Sequence, residues 1–141
     1  MTVRAILSNR DGNVVTLHPD ASVADAVKLL ATKRIGAIPV VSGEGVLGIF
    51  SERDVIYGLE REGAAVLDKR VGDVMTAPAM TVETDTPVMA ALSLMSRRRI
   101  RHLPVVEGER MVGFVSIGDL VKYRIDRIES EAAALREYIA S

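Results

Sequence analysis

The sequence contains no cysteine and no tryptophan, and its aromatic residues are limited to three tyrosines and two phenylalanines. Without cysteine there is no disulfide scaffold, no thiol catalysis and no cysteine-ligated zinc. The two histidines, His18 and His102, are too few for a histidine-rich metal site. So few aromatic side chains offer no interleaved set on which bases stack, and nucleic acid is therefore not an expected partner.

The sequence also lacks a long apolar run and an excess of charge. The longest stretch free of Asp, Glu, Lys and Arg runs from Thr86 to Ser96, whereas a membrane-spanning helix needs about 20 apolar residues. No basic region followed by an apolar run opens the chain, so we expect no secretory signal and a cytoplasmic location. The 18 basic residues balance 19 acidic ones, and 48 % of the 141 residues are hydrophobic, which suffices for a core.

What the sequence does contain is an internal repeat. After a shift of 65 residues, positions 15–59 align with positions 80–124 without a gap, and 15 of the 45 pairs are identical. Chance would give about three identities. A shorter match, of 3–8 with 71–76, leads into each copy. We predict repeats at 1–62 and 71–124, a linker at 63–70 and a helical extension at 125–141.

Both copies predict the same order of elements, β-α-β-β-α. An extended segment (14–17, 80–82) precedes an amphipathic helix, which Asp20 or Ser22 caps in the first copy and Thr86 caps in the second. Two strands joined by a Gly-Glu turn, at 43–44 and 108–109, follow as a hairpin. The predicted fold class is α+β (mixed α/β), with the two units packed as one pseudo-two-fold module and a long C-terminal helix.

A second pattern closes each hairpin. It reads Gly, two apolar residues, Ser, two variable residues and Asp, at 48–54 and 113–119. Alone, a Ser followed three residues later by an acid predicts a helix capping box. Here the pattern occurs twice, each time about ten residues after an identical Pro-Val-Val.

With these motifs the sequence resembles the CBS-domain family, whose tandem pairs are called Bateman modules. The resemblance covers about residues 1–124. It implies a non-catalytic, regulatory, energy-sensing module that binds an adenosine-containing ligand such as AMP, ADP, ATP, NAD(H) or S-adenosylmethionine. An enzyme is not predicted, because the sequence has no Gly-rich phosphate loop followed by Lys-Ser/Thr.

The resemblance further implies that each ligand cleft is built from both copies. A carboxylate early in a helix suits a ribose diol, and helix N-terminal amides with basic side chains suit phosphate. The first cleft would combine Val15, Thr16, Ile35, Gly36, Ala37 and Pro39 with Ser116 and Asp119. The second cleft would combine Ser51, Arg53 and Asp54 with Met80, Thr81, Ile100, Arg101, His102 and Pro104.

The two clefts should differ in charge. Two arginines and a histidine lie near the expected phosphate position of the second cleft, where the first has two glycines and an alanine. The residues compared are Arg53, Arg101 and His102 against Gly118, Gly36 and Ala37. We therefore predict that the second cleft prefers the more phosphorylated ligand. The first is expected to bind more weakly, to hold a neutral nucleoside part or to stay empty.

The C-terminal segment has a heptad-like apolar stripe, formed by Val121, Ile125, Ile128, Ala132, Leu135 and Ile139. Such a stripe predicts either a helix that folds back on its own module or one that extends past it to pack against a second subunit. The second interpretation predicts a homodimer, with an unidentified protein as the regulated target. An alternative function is a structural dimerisation module whose clefts bind nothing.

Overall fold

The computed structural model describes residues 1–8, 10, 13–43 and 45–141. The α-helices within these ranges are α1 (Val3–Leu7), α2 (Val23–Lys33), α3 (Glu52–Glu62), α4 (Val71–Val74), α5 (Val88–Arg98) and α6 (Ile117–Ala140). A 3₁₀ helix covers Gly63–Asp68. The strands are β1 (Ala37–Ser42), β2 (Gly45–Ser51), β3 (Val82–Glu83), β4 (His102–Glu107) and β5 (Arg110–Ser116). The predicted α+β class is confirmed.

The two hairpins have the same register. In the first, β1 and β2 pair antiparallel, with Val40 opposite Gly48 and a bulge after Val40. In the second, β4 and β5 pair with Val105 opposite Gly113 and a bulge after Val105. This agreement confirms that the internal repeat is a structural one. Glu44, in the predicted Gly-Glu turn of the first hairpin, lies outside the described residues.

The leading strand of each repeat is shorter than predicted. In the second repeat the leading strand is β3, which has two residues and pairs parallel with β4. It shares only Val82 with the predicted strand at 80–82. In the first repeat the predicted strand at 14–17 is reduced to a single parallel bridge at Leu17. The Leu17 N–H donates to the Pro39 carbonyl at 3.0 Å, and its carbonyl accepts from the Val41 N–H at 2.9 Å. Leu17 alone therefore makes both hydrogen bonds to β1, and no longer strand forms.

The helices that precede the two hairpins, α2 and α5, begin differently. Ser22 caps α2, because its side chain accepts the Asp25 N–H at 3.0 Å. The predicted Thr86 cap is wrong: α5 begins after Pro87, and the Thr86 hydroxyl instead accepts the Glu83 N–H at 3.2 Å. That bond closes the tight turn before the helix and uses the hydroxyl that would have capped it.

The lead-in helices are exchanged between the repeats. Val3 and Ile6 of α1 are buried in the core built by β3–β5, α5 and the start of α6. Val71 of α4 is buried in the core of the first repeat, beside Val23 and Phe50. Main-chain bonds secure both exchanges. The two repeats therefore interlock, and each completes its core with a helix that precedes the other repeat. The boundaries predicted at 62, 70 and 124 concern the sequence repeats and stay a prediction.

The last helix runs well past the module. Leu120 is fully buried and Tyr123 packs against the second core, but the apolar side chains that follow are exposed. Ile128 is 48 % exposed and Leu135 59 %. The helix therefore does not fold back on its own module. No helix in the described part of the chain combines the length and apolar character that crossing a bilayer requires.

Candidate functional site

Two clefts lie between the repeats, one on each side of the region where β2 packs against β5. The first has a volume of about 450 Å³ and takes walls from both repeats. Its lining residues are Leu7, Arg10, Asn13, Val14, Val15, Ile35, Ala37, His102, Gly113, Phe114, Ser116 and Asp119. The second has a volume of about 220 Å³. Its lining residues are Gly36, Ala37, Ile49, Ser51, Glu52, Arg53, Thr76, Pro78, Ala79, Met80, Arg99, Ile100, Arg101 and His102.

Most residues predicted for the first cleft do line it, and three do not. The lining includes Val15, Ile35, Ala37, Ser116 and Asp119. The exceptions are Thr16, which is exposed, Pro39, which is buried within β1, and Gly36, which lines the second cleft.

The second cleft shows the same pattern. The predicted residues found in its lining are Ser51, Arg53, Met80, Ile100, Arg101 and His102. Thr81 is exposed and Pro104 is buried within β4, so neither lines the cleft. Asp54 does not line the cleft itself. Its carboxylate lies behind the wall and accepts the hydroxyl of the lining residue Thr76 at 3.0 Å.

The Ser-x-x-Asp pairs form capping boxes at the helix starts that border the clefts. Ser51 caps α3 and Ser116 caps α6, and in each box the acid three residues later accepts the N–H of the capping serine. The local interpretation of the motif is therefore confirmed. The same geometry turns both carboxylates towards the inter-repeat region, so capping and ligand contact are compatible.

Asp119 is held by two donors of different kinds. Its carboxylate accepts the Ser116 N–H at 2.7 Å and forms an ion pair with the Arg10 guanidinium at 2.5 Å. Burial alone would raise the pKa of Asp119, but the bonds from Ser116 and Arg10 outweigh it and hold that pKa below its usual 3.8. Asp119 is thus ionised at neutral pH.

The second cleft has an excess of positive charge. Arg53, Arg99 and Arg101 line it together with a single acid, Glu52. Arg99 is in the left-handed conformation, with φ of 54°, at the residue that ends α5. Such a wall attracts an anionic group such as phosphate, which arginine binds through paired N–H donors.

His102 lies between the two clefts and lines both. Its ring stacks on Phe114 at 5.5 Å between centroids, with 13° between the planes. Burial lowers the pKa of His102 below its usual 6.5; the charges of Asp119 and Glu52 oppose this effect and that of Arg101 adds to it. The imidazole is therefore neutral at pH 7. The same ring forms part of the wall of both clefts.

Several lining residues were missed by the sequence reasoning. Thr76 aligns with Ser8 in the match between the lead-in segments, but that match carried no signal for a cleft residue, since Ser8 lines neither cleft. Arg10 lies beyond that match, so no repeat pattern pointed to it. No group of three or more metal-ligating side chains is present within the ranges that the structure describes.

Interlocked β-α-β-β-α repeats with a cleft on each side of their junction define a paired CBS module. The sequence profile of the CBS domain matches residues 3–61 and 71–126, and the chain belongs to the CBS-domain family.

Two curated relatives show how the chain compares with longer proteins. It is 37 % identical over 134 residues to the mitochondrial CBS domain-containing protein CBSX3 of Arabidopsis thaliana, covering 92 % of this chain and 65 % of that protein. It is 38 % identical over 111 residues to inosine-5'-monophosphate dehydrogenase of Mycobacterium tuberculosis, covering 77 % of this chain and 20 % of the dehydrogenase. The chain therefore spans less than two thirds of either relative.

Solved structures share the fold over most of their length. A CBS-domain containing protein from Agrobacterium tumefaciens superposes with a TM-score of 0.81 at 37 % identity, covering 87 % of this chain and 92 % of its own. CBSX2 in complex with AMP gives 0.76 at 27 %, covering 89 % and 96 %. The CBS domain pair of protein MJ0100, in complex with 5'-methylthioadenosine and S-adenosyl-L-methionine, gives 0.78 at 26 %, covering 90 % and 98 %.

Proposed function

We propose that this chain is a non-catalytic regulatory module that binds an adenosine-containing ligand (AMP, ATP or NAD(H)) between its two CBS repeats. Binding then changes its association with a target protein or the geometry of its own dimer. One observation carries the proposal. Each inter-repeat cleft has a capping-box carboxylate at or just behind its wall and at least one arginine on that wall.

The chemistry of the clefts supports a nucleotide. A carboxylate accepts hydrogen bonds from both hydroxyls of a ribose. Asp119 lines the first cleft, and Asp54 lies behind the wall of the second, which Glu52 also lines. Apolar side chains such as Val15 and Ile100 offer a slot for a base. The three arginines of the second cleft support a more highly phosphorylated ligand there than in the first.

The relatives support the same ligand class. The complexes named above contain AMP in one case and 5'-methylthioadenosine with S-adenosyl-L-methionine in the other. Adenosine is the part that these molecules share. The match to only 20 % of the dehydrogenase supports a module that accompanies catalysis and does not perform it.

Thermal unfolding against AMP, ADP, ATP, NAD, NADH and S-adenosylmethionine is the first test. A ligand at one hundred times its Kd stabilises the fold by about 2.7 kcal/mol. For a chain of this size the expected rise in Tm is roughly 6–12 °C. If none of these ligands shifts Tm at millimolar concentration, the proposal is wrong.

Charge-removing variants then test the assigned carboxylates. We expect Asp54→Asn and Asp119→Asn each to reduce the ligand-induced Tm shift, since the amide keeps the capping acceptor but loses the charge that attracts the ribose hydroxyls. Asp25→Asn is the matched control. Asp25 occupies the same third helical position after the capping Ser22 and lines neither cleft. An equal loss in all three variants would indicate a general effect on helix stability.

The second candidate function is a dimerisation module whose clefts bind nothing. It is favoured by the exposed apolar stripe on α6, which extends past the module. Both candidates use a homodimer, so the stripe is tested separately. We expect Ile128→Glu to convert the dimer to a monomer in analytical ultracentrifugation, and Ser130→Glu, on the opposite side of α6, to leave the dimer intact.

The ultracentrifugation also separates the candidates. A monomeric wild type would contradict the dimer in either form. A ligand-independent dimer combined with no Tm shift would favour the purely structural function, and a dimer with a Tm shift would favour the regulatory one.

A further inference from the structure

The two capping-box carboxylates are equivalent in the repeat but have different partners. Asp54 accepts from three neutral donors: the Ser51 N–H at 2.9 Å, the Ser51 hydroxyl at 3.2 Å and the Thr76 hydroxyl at 3.0 Å. Asp119 accepts from its capping serine and is ion-paired with Arg10. Among the described residues, the Asp119 carboxylate of the first cleft is therefore paired with a cation, whereas the Asp54 carboxylate contacts only neutral donors.

The difference arises in the lead-in segments. Ser8 is the repeat equivalent of Thr76, but its hydroxyl donates to the Ala5 carbonyl at 2.9 Å and does not serve Asp119. Arg10, two residues further on, takes that role. Its backbone N–H donates to the Leu7 carbonyl at 3.1 Å, which fixes the residue just after α1.

Arg10 is attached to the wall of the first cleft by two contacts. One guanidinium nitrogen donates to the Phe114 carbonyl at 2.7 Å, and another pairs with Asp119. Both partners line the cleft, as Arg10 does. The side chains of the pair are 35 % and 33 % exposed, so water only partly screens their attraction.

A ribose that binds Asp119 must compete with this guanidinium. A neutral nucleoside offers only hydroxyl groups, so it would replace the ion pair at Asp119 and leave the Arg10 charge without an anion. A phosphorylated nucleoside brings its own anion. Arginine binds phosphate through two parallel N–H donors, so Arg10 can transfer from the carboxylate to the phosphate of the same ligand.

We propose that Arg10 is the specificity-determining residue of the first cleft, where it selects a phosphorylated nucleoside over the neutral one. This assignment rests on the proposed function, because it requires a ligand in that cleft. It also changes the expectation that the first cleft suits a neutral nucleoside part, an expectation based on Gly118, Gly36 and Ala37.

The test compares AMP with adenosine in each cleft separately. Titration of ¹⁵N-labelled protein followed by NMR gives a Kd from the Gly113 amide, which lines only the first cleft, and another from the Ile49 amide, which lines only the second. In the wild type we expect AMP to bind the first cleft more tightly than adenosine. In Arg10→Gln we expect that preference to fall about tenfold, with adenosine affinity increased because Asp119 is freed.

Two further variants make the result specific. Arg10→Lys keeps the charge but not the planar pair of donors, and we expect an intermediate preference for AMP. Arg53→Gln removes a cation from the second cleft and should leave the preference at Gly113 unchanged. Unchanged AMP preference in Arg10→Gln, or weaker adenosine binding, would overturn the assignment while leaving the proposed function intact. If neither AMP nor adenosine shifts the Gly113 amide resonance in the wild type or any variant, both the assignment and the ligand role of this cleft are wrong.

Discussion

Gly48 and Gly113 occupy the same position of the two hairpins, yet we expect Ala to be tolerated at only one of them. A methyl group on Gly48 would lie 2.6 Å from the Thr76 carbonyl oxygen and 2.9 Å from the Met75 sulfur. The three atoms nearest to a methyl group on Gly113 would all belong to the Leu7 side chain, the closest at 2.5 Å. The first obstacle includes main chain, and the second is a side chain that can rotate.

The cost at Gly48 follows from what must move. Ile49 and Thr76 exchange two main-chain hydrogen bonds, both 2.9 Å, so displacing Thr76 weakens this pair. Overpacking costs about 1–3 kcal/mol and each hydrogen bond contributes about 0.5–1.5 kcal/mol. Replacing glycine in a strand recovers about 0.5–1 kcal/mol. We therefore expect Gly48→Ala to lower the free energy of unfolding by about 2–4 kcal/mol.

The cost at Gly113 is smaller because Leu7 borders the first cleft, which leaves it space. An off-rotamer side chain costs about 0.5–1.5 kcal/mol, which the loss of a strand glycine largely offsets. We expect Gly113→Ala to cost at most about 1 kcal/mol.

Urea unfolding of the two variants beside the wild type measures both values under one condition. The expected difference of about 2–3 kcal/mol corresponds to roughly 4–12 °C in Tm. Equal destabilisation by the two substitutions, or a larger effect at Gly113, would refute the reasoning from main-chain contact.

Three further outcomes are expected. Ser51→Ala and Ser116→Ala should each cost about 1 kcal/mol in urea unfolding, because each removes a helix cap, and a negligible cost would contradict the capping boxes. The lowered pKa of His102 means that the unfolded chain takes up its proton first, so stability should fall as pH drops below 6.5. His102→Gln should flatten that part of the stability-pH curve, and an unchanged slope would exclude His102 as its source. Val3→Ala should cost about 2 kcal/mol and speed amide hydrogen exchange in β4 and β5 more than in β1, whereas a greater effect on β1 would argue against the exchange of α1.

The features that were predictable are local ones. Apolar spacing and turn residues determine the hairpins and helices over a few residues, so their order was correct in both repeats. The Ser51 and Ser116 caps were equally predictable from the sequence, since a capping box spans only four residues. The predicted Thr86 cap is wrong for a reason that is also local, because the Thr86 hydroxyl accepts the Glu83 N–H of the preceding turn and α5 begins after Pro87.

The candidate site was predictable only to the extent that the repeat and the family resemblance cover it. Thr16, Pro39, Thr81 and Pro104 belong to the matched segments but do not line a cleft. Whether a residue near a strand faces a cleft depends on how the second repeat packs against the first. A one-residue change of register reverses the direction of a side chain.

The sequence by itself determined that this protein is a duplicated β-α-β-β-α unit with helix caps at matching positions, because those properties depend on neighbours in the chain. Only the tertiary structure decided that α1 and α4 change places, so that each lead-in helix completes the core of the other repeat. The same contact between distant segments brings Arg10 to Asp119, 109 positions later in the sequence. No spacing rule connects two such residues, since their meeting depends on the packing of one entire repeat against the other.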